Sequence, residues 1–353
     1  MSLPSLKQSF VIGSIRTLVG PIPQVSPSLK WTDRWGTFKV RWGIGRMNYT
    51  IDPGFYALGH PDSSAPVLVT ANYKMSFDKL REALPGHDLW LLVLDTKGVN
   101  VWCAAGKGTF GTTELVGRIE SSGLARIVSH RKLILPQLSG PGVSAHEVKR
   151  LSGFNVVYGP IRATDLPGFL DGGLKATPEM RLKTFTTWER VVLIPMELVA
   201  ALKVGLIVIP ILFLLAMVGG YGEGWTGALT HGLFSVIAIL TAILAGAVLA
   251  PLLLPWLPGR PFSLKGLSIG LLAATVFLAF CWSDWFTGTG RLEMAAWLLL
   301  IPGISAFLAM NFTGASTYTS LSGVKKEMRW ALPFEIGVMM IGLGLWLGSN
   351  FAA

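Results

Sequence analysis

From about residue 191 onward the chain almost stops carrying charge. Residues 191–353 hold seven Lys and Arg and six Asp and Glu, against 23 and 14 in residues 1–190. Five apolar stretches fill this part, at roughly Leu198–Val218, Gly232–Leu257, Gly266–Ser283, Met294–Phe312 and Ala331–Gly348. Each approaches the ~20 residues a helix needs to cross a bilayer. The whole chain is 51% hydrophobic and only 14% charged, which sets it apart from water-soluble proteins. The expected organisation is an N-terminal extension (1–60), a water-facing domain (61–190) and a helical membrane domain (191–353) of about five transmembrane helices.

Basic residues orient such a chain. Arg181, Lys183 and Arg190 precede the first stretch, Arg260 and Lys265 follow the second, and Lys325, Lys326 and Arg329 follow the fourth. Of the intervening loops, the first has no Lys or Arg and the other has only Arg291. This predicts a multi-pass protein of the cytoplasmic (inner) membrane with its N-terminal domain inside and its C-terminus outside. Lys203 and Glu335 fall near cytoplasmic ends, where snorkelling accounts for them. Few ionisable groups sit at mid-depth, which favours an anchor or scaffold over a pump. The loop Asn311–Ser320 is rich in hydroxyls and reads as a polar loop or a contact surface.

The net charge of +9 in residues 1–190 suits anionic lipid head groups or an acidic protein partner. No nucleic-acid-binding motif accompanies it, so nucleic acid is not an expected partner. Two cysteines, Cys103 and Cys281, are too few for a disulfide framework or an iron–sulfur site. Cys281 reads as a packing residue. The early apolar run Phe10–Ile15 is too short for a secretory signal, so Cys103 is expected to face a reducing cytoplasm. His60, His87, His130, His146 and His231 show no metal-ligand spacing.

The water-facing part alternates strand and helix signals. Strands are expected at Val67–Thr70, Leu89–Leu94, Lys132–Leu135 and Asn155–Tyr158. Helices are expected at Ser76–Leu84 (capped by Ser76), Thr112–Ser122 (Thr112 or Thr113 near the cap), Ser144–Leu151 and Ala163–Leu170. Residues 1–60 are rich in Pro, Gly and Trp, and the alternation in Thr37–Trp42 suggests a β-hairpin. Alternating strands and helices imply an α/β fold with a mostly parallel sheet and ligands at the carboxyl ends of its strands. The loops at those ends, Thr70–Ser76, Pro136–Ser144 and Gly159–Asp165, are polar or Gly-rich. Thr70, Asn72, Ser76, Gln137, Gly140 and Gly142 are candidate ligand contacts, and ordinary turn chemistry uses the same residue types.

The most specific stretch is Asn100-Val101-Trp102-Cys103-Ala104-Ala105-Gly106-Lys107. Asn100 is a good helix N-cap, which makes Cys103 the third helical residue. Unpaired N–H groups and the helix dipole there favour thiolate over thiol. Ala104, Ala105 and Gly106 are small enough for a large planar group to approach, and Lys107 adds a positive charge. A lone cysteine after a core strand is otherwise most often an inert buried residue. Gly106-Lys107-Gly108-Thr109 fails as a phosphate loop, because Val101 stands where a glycine is needed and Gly108 where Ser or Thr is needed.

All eight positions resemble the cap-helix signature of the HgcA family, the corrinoid proteins of microbial mercury methylation. Residues 61–190 also resemble the corrinoid-binding domain of the corrinoid iron–sulfur protein of the acetyl-CoA pathway, which is not known for a cysteine at this place. The Asp-x-His-x-x-Gly motif of histidine-ligated corrinoid enzymes is not found. The resemblance implies a Rossmann-like corrinoid-binding domain followed by the membrane domain, with Cys103 as lower axial ligand to cobalt. Asn100 to Lys107 and the three loops would then surround the corrin ring. It implies methyl transfer from cobalt to Hg(II), forming methylmercury. The implied partners are a ferredoxin-like iron–sulfur protein of the HgcB type and a methyltetrahydrofolate-linked methyl donor. Two other readings stay open: a corrinoid methyl carrier of one-carbon metabolism, and a membrane scaffold or transport protein with an α/β regulatory domain.

Overall fold

A computed structural model describes residues 3–218, 224–280, 288–316 and 321–351. Cys281 and part of the hydroxyl-rich loop (317–320) lie outside the described residues. The chain divides into two units, residues 1–40 with 44–183, and residues 41–43 with 184–353.

The first unit is built on one mixed sheet of seven strands: β1 (Val11–Thr17), β2 (Gly20–Val25), β3 (Gly54–Leu58), β4 (Val67–Ala71), β5 (Leu89–Leu94), β6 (Lys132–Leu135) and β7 (Asn155–Tyr158). Their spatial order is β1-β2-β3-β5-β4-β6-β7. β5, β4, β6 and β7 run parallel, β3 lies antiparallel to β5, and β1 and β2 form an antiparallel pair. The four parallel strands are those expected from their uninterrupted apolar runs. Such runs are needed because both faces are covered. Val67, Val69, Ala71, Trp90, Leu92 and Leu94 face one core cluster, and Leu68, Leu89, Leu91 and Val93 face the other. Helices α4 (Thr112–Ser122) and α5 (Ala145–Ser152) supply Leu115, Ile119 and Val148 to the first. Helices α2 (Lys74–Glu82) and α6 (Leu166–Asp171) supply Phe77, Leu80, Leu166 and Phe169 to the second.

Several local expectations are corrected. Thr37–Trp42 is not a hairpin. It falls mostly within helix α1 (Trp31–Arg41), which buries Asp33, Gly36 and Val40 at helical spacing. The Lys30 N–H donates to Asp33 Oδ2 at 3.0 Å and starts that helix. The hairpin lies earlier, in β1 and β2. Ser76 does not cap α2. The helix starts two residues before it, with Tyr73 at the cap position and no side-chain cap bond. Thr112 does not cap α4 either. Gly111 holds that position, and Thr112 Oγ1 accepts the Ser144 N–H at 2.9 Å.

Between α1 and α2 lies a buried network of four charges. Lys74 Nζ is 2.6 Å from both Asp33 Oδ1 and Asp78 Oδ2, and Arg81 Nη2 is 2.8 Å from Asp33 Oδ2 and Asp78 Oδ1. Arg81 Nη1 also donates to the Ser26 and Ser28 carbonyls. Each charge has an opposite partner and hydrogen bonds, the condition under which buried ions are tolerated.

The second unit is helical: α7 (Thr187–Val191), α8 (Ile194–Val218), α9 (Gly224–Ile243), a π-helical segment (Leu244–Leu249), α10 (Ala250–Leu253), α11 (Phe262–Phe280), α12 (Gly288–Asn311) and α13 (Leu321–Phe351). Five helical stretches are long and apolar enough to cross a membrane, at Thr187–Val218, Leu229–Leu253, Phe262–Phe280, Gly290–Ala315 and Ser322–Asn350. Small residues bring them together. A Cβ on Gly266 of α11 would lie 2.5 Å from the Ser305 carbonyl of α12 and 2.7 Å from Ala306 Cα, the close approach that apolar helix pairs use. Glu335 departs from expectation. It does not snorkel but is 3% exposed inside this unit.

Candidate functional site

Strand order places the site. From β4 the chain moves outward to β5, then returns past β4 to β6 on its other side. The loops leaving β4 and β6 therefore diverge and open a crevice at their carboxyl ends, where ligands bind in folds of this kind. A cavity of about 370 Å³ lies there. Thr70 lines it from β4, Leu135 and Pro136 from β6, Ser76 and Lys79 from α2, and Asn100, Val101 and Trp102 from helix α3 (Val101–Lys107). Its wall is mostly apolar, with the Thr70 and Ser76 hydroxyls among its few polar groups.

Helix α3 is capped as expected. Asn100 Oδ1 accepts the Cys103 N–H at 2.9 Å, and Gly108 ends the helix at φ 79° in the left-handed region that glycine adopts without strain. Cys103 is exposed. The helical period sorts the remaining residues. Val101, Ala104 and Ala105 pack into the core, with Ala104 and Ala105 buried, while Trp102, Cys103, Gly106 and Lys107 face outward. This corrects the expectation that both alanines leave room for a planar group. Ala105 backs onto the loop after β6, where a Cβ on Gly142 would collide with the Phe110 carbonyl and lie 2.9 Å from Ala105 Cα.

Two braces hold this arrangement. The loop entering α3 is organised by Asn72. Its Oδ1 accepts from Thr96 N (3.1 Å), Thr96 Oγ1 (2.9 Å) and Gly98 N (3.1 Å), and its Nδ2 donates to Asp95 Oδ1 (3.2 Å). Asp95 is partly desolvated, but the Lys97 ammonium 2.5 Å away and the Lys97 N–H outweigh that and hold its carboxyl below the usual range. The loop after β6 is tied by Ser139 Oγ donating to the Pro136 carbonyl (2.7 Å) and by Tyr158 Oη donating to the Val143 carbonyl (2.7 Å). Burial pushes the Tyr158 phenol above its usual range, so it stays a donor at neutral pH.

Of the candidate residues, Thr70, Ser76, Asn100, Val101 and Trp102 line the cavity, and Cys103 follows directly on the exposed side of the same turn. Asn72, Cys103, Ala104, Ala105, Gly106, Lys107, Gln137, Gly140 and Gly142 do not line it. Asn72 is spent on the α3 loop, Gln137 accepts from the Arg181 guanidinium, and Gly142 spaces α3. Tyr73, Met75, Pro160 and Arg162 line it from two of the loops expected to surround the ligand, whereas Lys79 and Leu80 line it without having been anticipated. Starting α2 at Lys74 would have exposed the signal, because Ser76, Lys79 and Leu80 then share one helix face.

Residues 45–170 match the family described as CO dehydrogenase/acetyl-CoA synthase delta subunit. The chain is also similar to the acetyl-CoA decarbonylase/synthase complex subunit gamma of Methanopyrus kandleri, at 32% identity over 124 residues, 34% of this chain and 26% of that protein. The gamma subunit of Methanothermobacter thermautotrophicus is 29% identical over 128 residues, 36% of this chain and 28% of that protein. The gamma 2 subunit of Methanosarcina thermophila is 31% identical over 130 residues, 36% of this chain and 27% of that protein. The chain thus spans about a quarter of the length of these relatives. The similarity falls within the α/β unit.

Proposed function

We propose that the α/β unit holds a corrinoid at the β4–β6 crevice and serves as a methyl carrier. The observation that supports this most directly is the cavity beside the capped Cys103 turn, within the segment similar to acetyl-CoA decarbonylase/synthase subunits. The residues present fit such a group. A mostly apolar wall with a few hydroxyl, amide and cationic side chains would suit a large ring with an amide periphery, and an exposed soft sulfur on a rigid turn would suit a transition metal. When bound, a corrinoid supplies a cobalt centre that accepts a methyl group and yields it to an acceptor. The chain supplies the rest. Cys103 Sγ would be the ligand, Asn100 and the Gly142–Ala105 contact fix the direction of its helix, and Thr70 and Ser76 would offer hydrogen bonds to the ring's edge.

A finer reading, that Hg(II) is the acceptor, is favoured by one observation. The eight residues from Asn100 to Lys107 present an exposed cysteine where the corrinoid iron–sulfur proteins are not known to have one. A thiolate donates electron density to its metal, which suits transfer to a soft, thiophilic electrophile. On this reading the electrons come from a ferredoxin-like protein of the HgcB type and the methyl group from a methyltetrahydrofolate-linked donor. The five apolar helices anchor the chain in the cytoplasmic membrane with the α/β unit inside.

The test is reconstitution of the full chain with a cobalt corrinoid, beside Cys103→Ala, followed by optical and electron paramagnetic resonance spectra. A cobalt(II) signal without nitrogen coupling, changed by the substitution, supports thiolate ligation; identical spectra remove Cys103 from the metal. Absence of corrinoid binding by the folded chain overturns the carrier reading. Methylmercury formation from Hg(II) by the loaded protein, lost in Cys103→Ala, separates the finer reading from a carrier that serves another acceptor.

A further inference from the structure

The helical unit contains a buried carboxylate that nothing described so far uses. Glu335 on α13 is 3% exposed, and among the described residues neither of its carboxylate oxygens has a hydrogen-bond partner. It lines a second cavity of about 30 Å³ with Ser263, Gly303, Ala306, Trp330 and Ala331, between α11, α12 and α13. The Ser263 hydroxyl, 4% exposed at residue level, is likewise without a partner. Three polar oxygens thus border one small void between three helices.

Ionising an isolated carboxyl in such a place is costly, because desolvation disfavours the charge where no cation or hydrogen bond offsets it. The surroundings supply no cation. On α13, Lys325, Lys326 and Arg329 are exposed and Glu327 is acidic. Lys265 of α11 donates to the Leu254 and Leu257 carbonyls instead. The ionisable residues of α12, Arg291 and Glu293, lie ten residues or more before Gly303. A metal ion is poorly served, since hard cations take about six oxygens and the side chains here offer three. The void does have room for one water molecule.

We propose that Glu335 is a reversible proton-binding site of the helical unit, its neutral carboxyl sharing one water with the Ser263 hydroxyl. Release of the proton breaks the Glu335 O–H bond, leaves the electron pair on the carboxylate and passes the proton to that water. That water passes it on to solvent, because Glu327, eight residues earlier on α13 and 8% exposed, lies about 12 Å away along the helix, beyond the reach of one water. Glu327 Oε1 accepts the Ser263 backbone N–H at 2.7 Å, which ties the start of α11 to α13 and leaves the Ser263 hydroxyl to the void. A group of this kind couples proton uptake to the packing of α11, α12 and α13, which an inert anchor does not need. The proposal is independent of the corrinoid reading.

The test is infrared difference spectroscopy of the full chain in lipid nanodiscs, stepping pH across neutrality. The expected result is a protonated-carboxyl stretching band that is lost as pH rises, absent in Glu335→Gln and shifted in Ser263→Ala, which deletes its hydrogen-bond partner. A titrating band that survives intact in Glu335→Gln overturns the proposal. So does a band abolished at constant pH by sodium or potassium, which would make this a metal-cation site. Should Glu335→Gln fail to fold, an unshifted band in Ser263→Ala overturns it equally.

Discussion

The side-chain oxygen of Asn100 and the backbone N–H of Cys103 are 2.9 Å apart, and this bond fixes the first turn of a seven-residue helix. A helix that short has little stability of its own, so its cap and its packing determine where the sulfur points. Asn100→Ala removes the cap at a cost of ~1 kcal/mol. The expected result is faster amide exchange across residues 101–107 and several-fold weaker corrinoid retention, with the sheet unaffected. Unchanged retention would show that the cap does not position Cys103.

Gly142 is expected to tolerate no side chain. A Cβ there meets backbone atoms of Phe110 and Ala105, which cannot rotate away. Gly142→Ala should displace α3 at a cost of about 1–3 kcal/mol and weaken corrinoid binding roughly tenfold. Binding titrations on the full chain check this, and native affinity in the variant would count against the spacing role.

Asn72 should act through the loop before α3 rather than by touching a ligand. Asn72→Ala leaves Thr96 and Gly98 donors buried without their acceptor, a loss on the order of 1–3 kcal/mol. Hydrogen exchange should rise over residues 95–107. A loss of corrinoid affinity without any change in exchange would instead make Asn72 a direct contact.

Asp33→Asn should loosen α1 from α2, because it breaks a buried network and leaves Lys74 and Arg81 sharing the single charge of Asp78. Removing one partner of such a set costs roughly 3–5 kcal/mol. In the native chain burial works to raise the Asp33 pKa. Hydrogen bonds from Lys74, the Lys30 amide and Arg81, with the Lys74 charge, outweigh it and hold the pKa below its ordinary 3.8. A folded value below the unfolded one means the contribution is complete above about pH 4 and is lost as pH falls through the folded value. Amide exchange in α1 and α2 should therefore rise in acid for the native chain and vary less with pH in Asp33→Asn. Parallel acid profiles would refute the assignment.

Trp102 lines the cavity and is 42% exposed. A bound corrinoid should quench its emission, and Trp102→Phe should lose that part of the quenching while binding persists. Equal quenching in both proteins would place the ligand elsewhere.

What the sequence determined is local. Uninterrupted apolar runs specify β4 to β7, because strands covered on both faces tolerate no polar alternation. Asn100 before a short helical run specifies the turn that carries Cys103, since capping involves only neighbouring residues. Length and apolarity alone specify the five long helices of the second unit. What the tertiary structure decided depends on partners distant in the chain. Residues 11–58 contribute three strands to the sheet, and β3 lies antiparallel to β5, pairings that no local pattern encodes. Asp33, forty-one residues before Lys74, became part of one ionic cluster with it. Of the three polar loops, only some residues reach the cavity, because backbone bracing consumed Asn72 and close packing consumed Gly142. Glu335 turned inward because α11 and α12 enclose its face of α13. Periodicity and caps act through φ/ψ and adjacent groups, whereas strand pairing, charge burial and cavity lining exist only once distant segments meet.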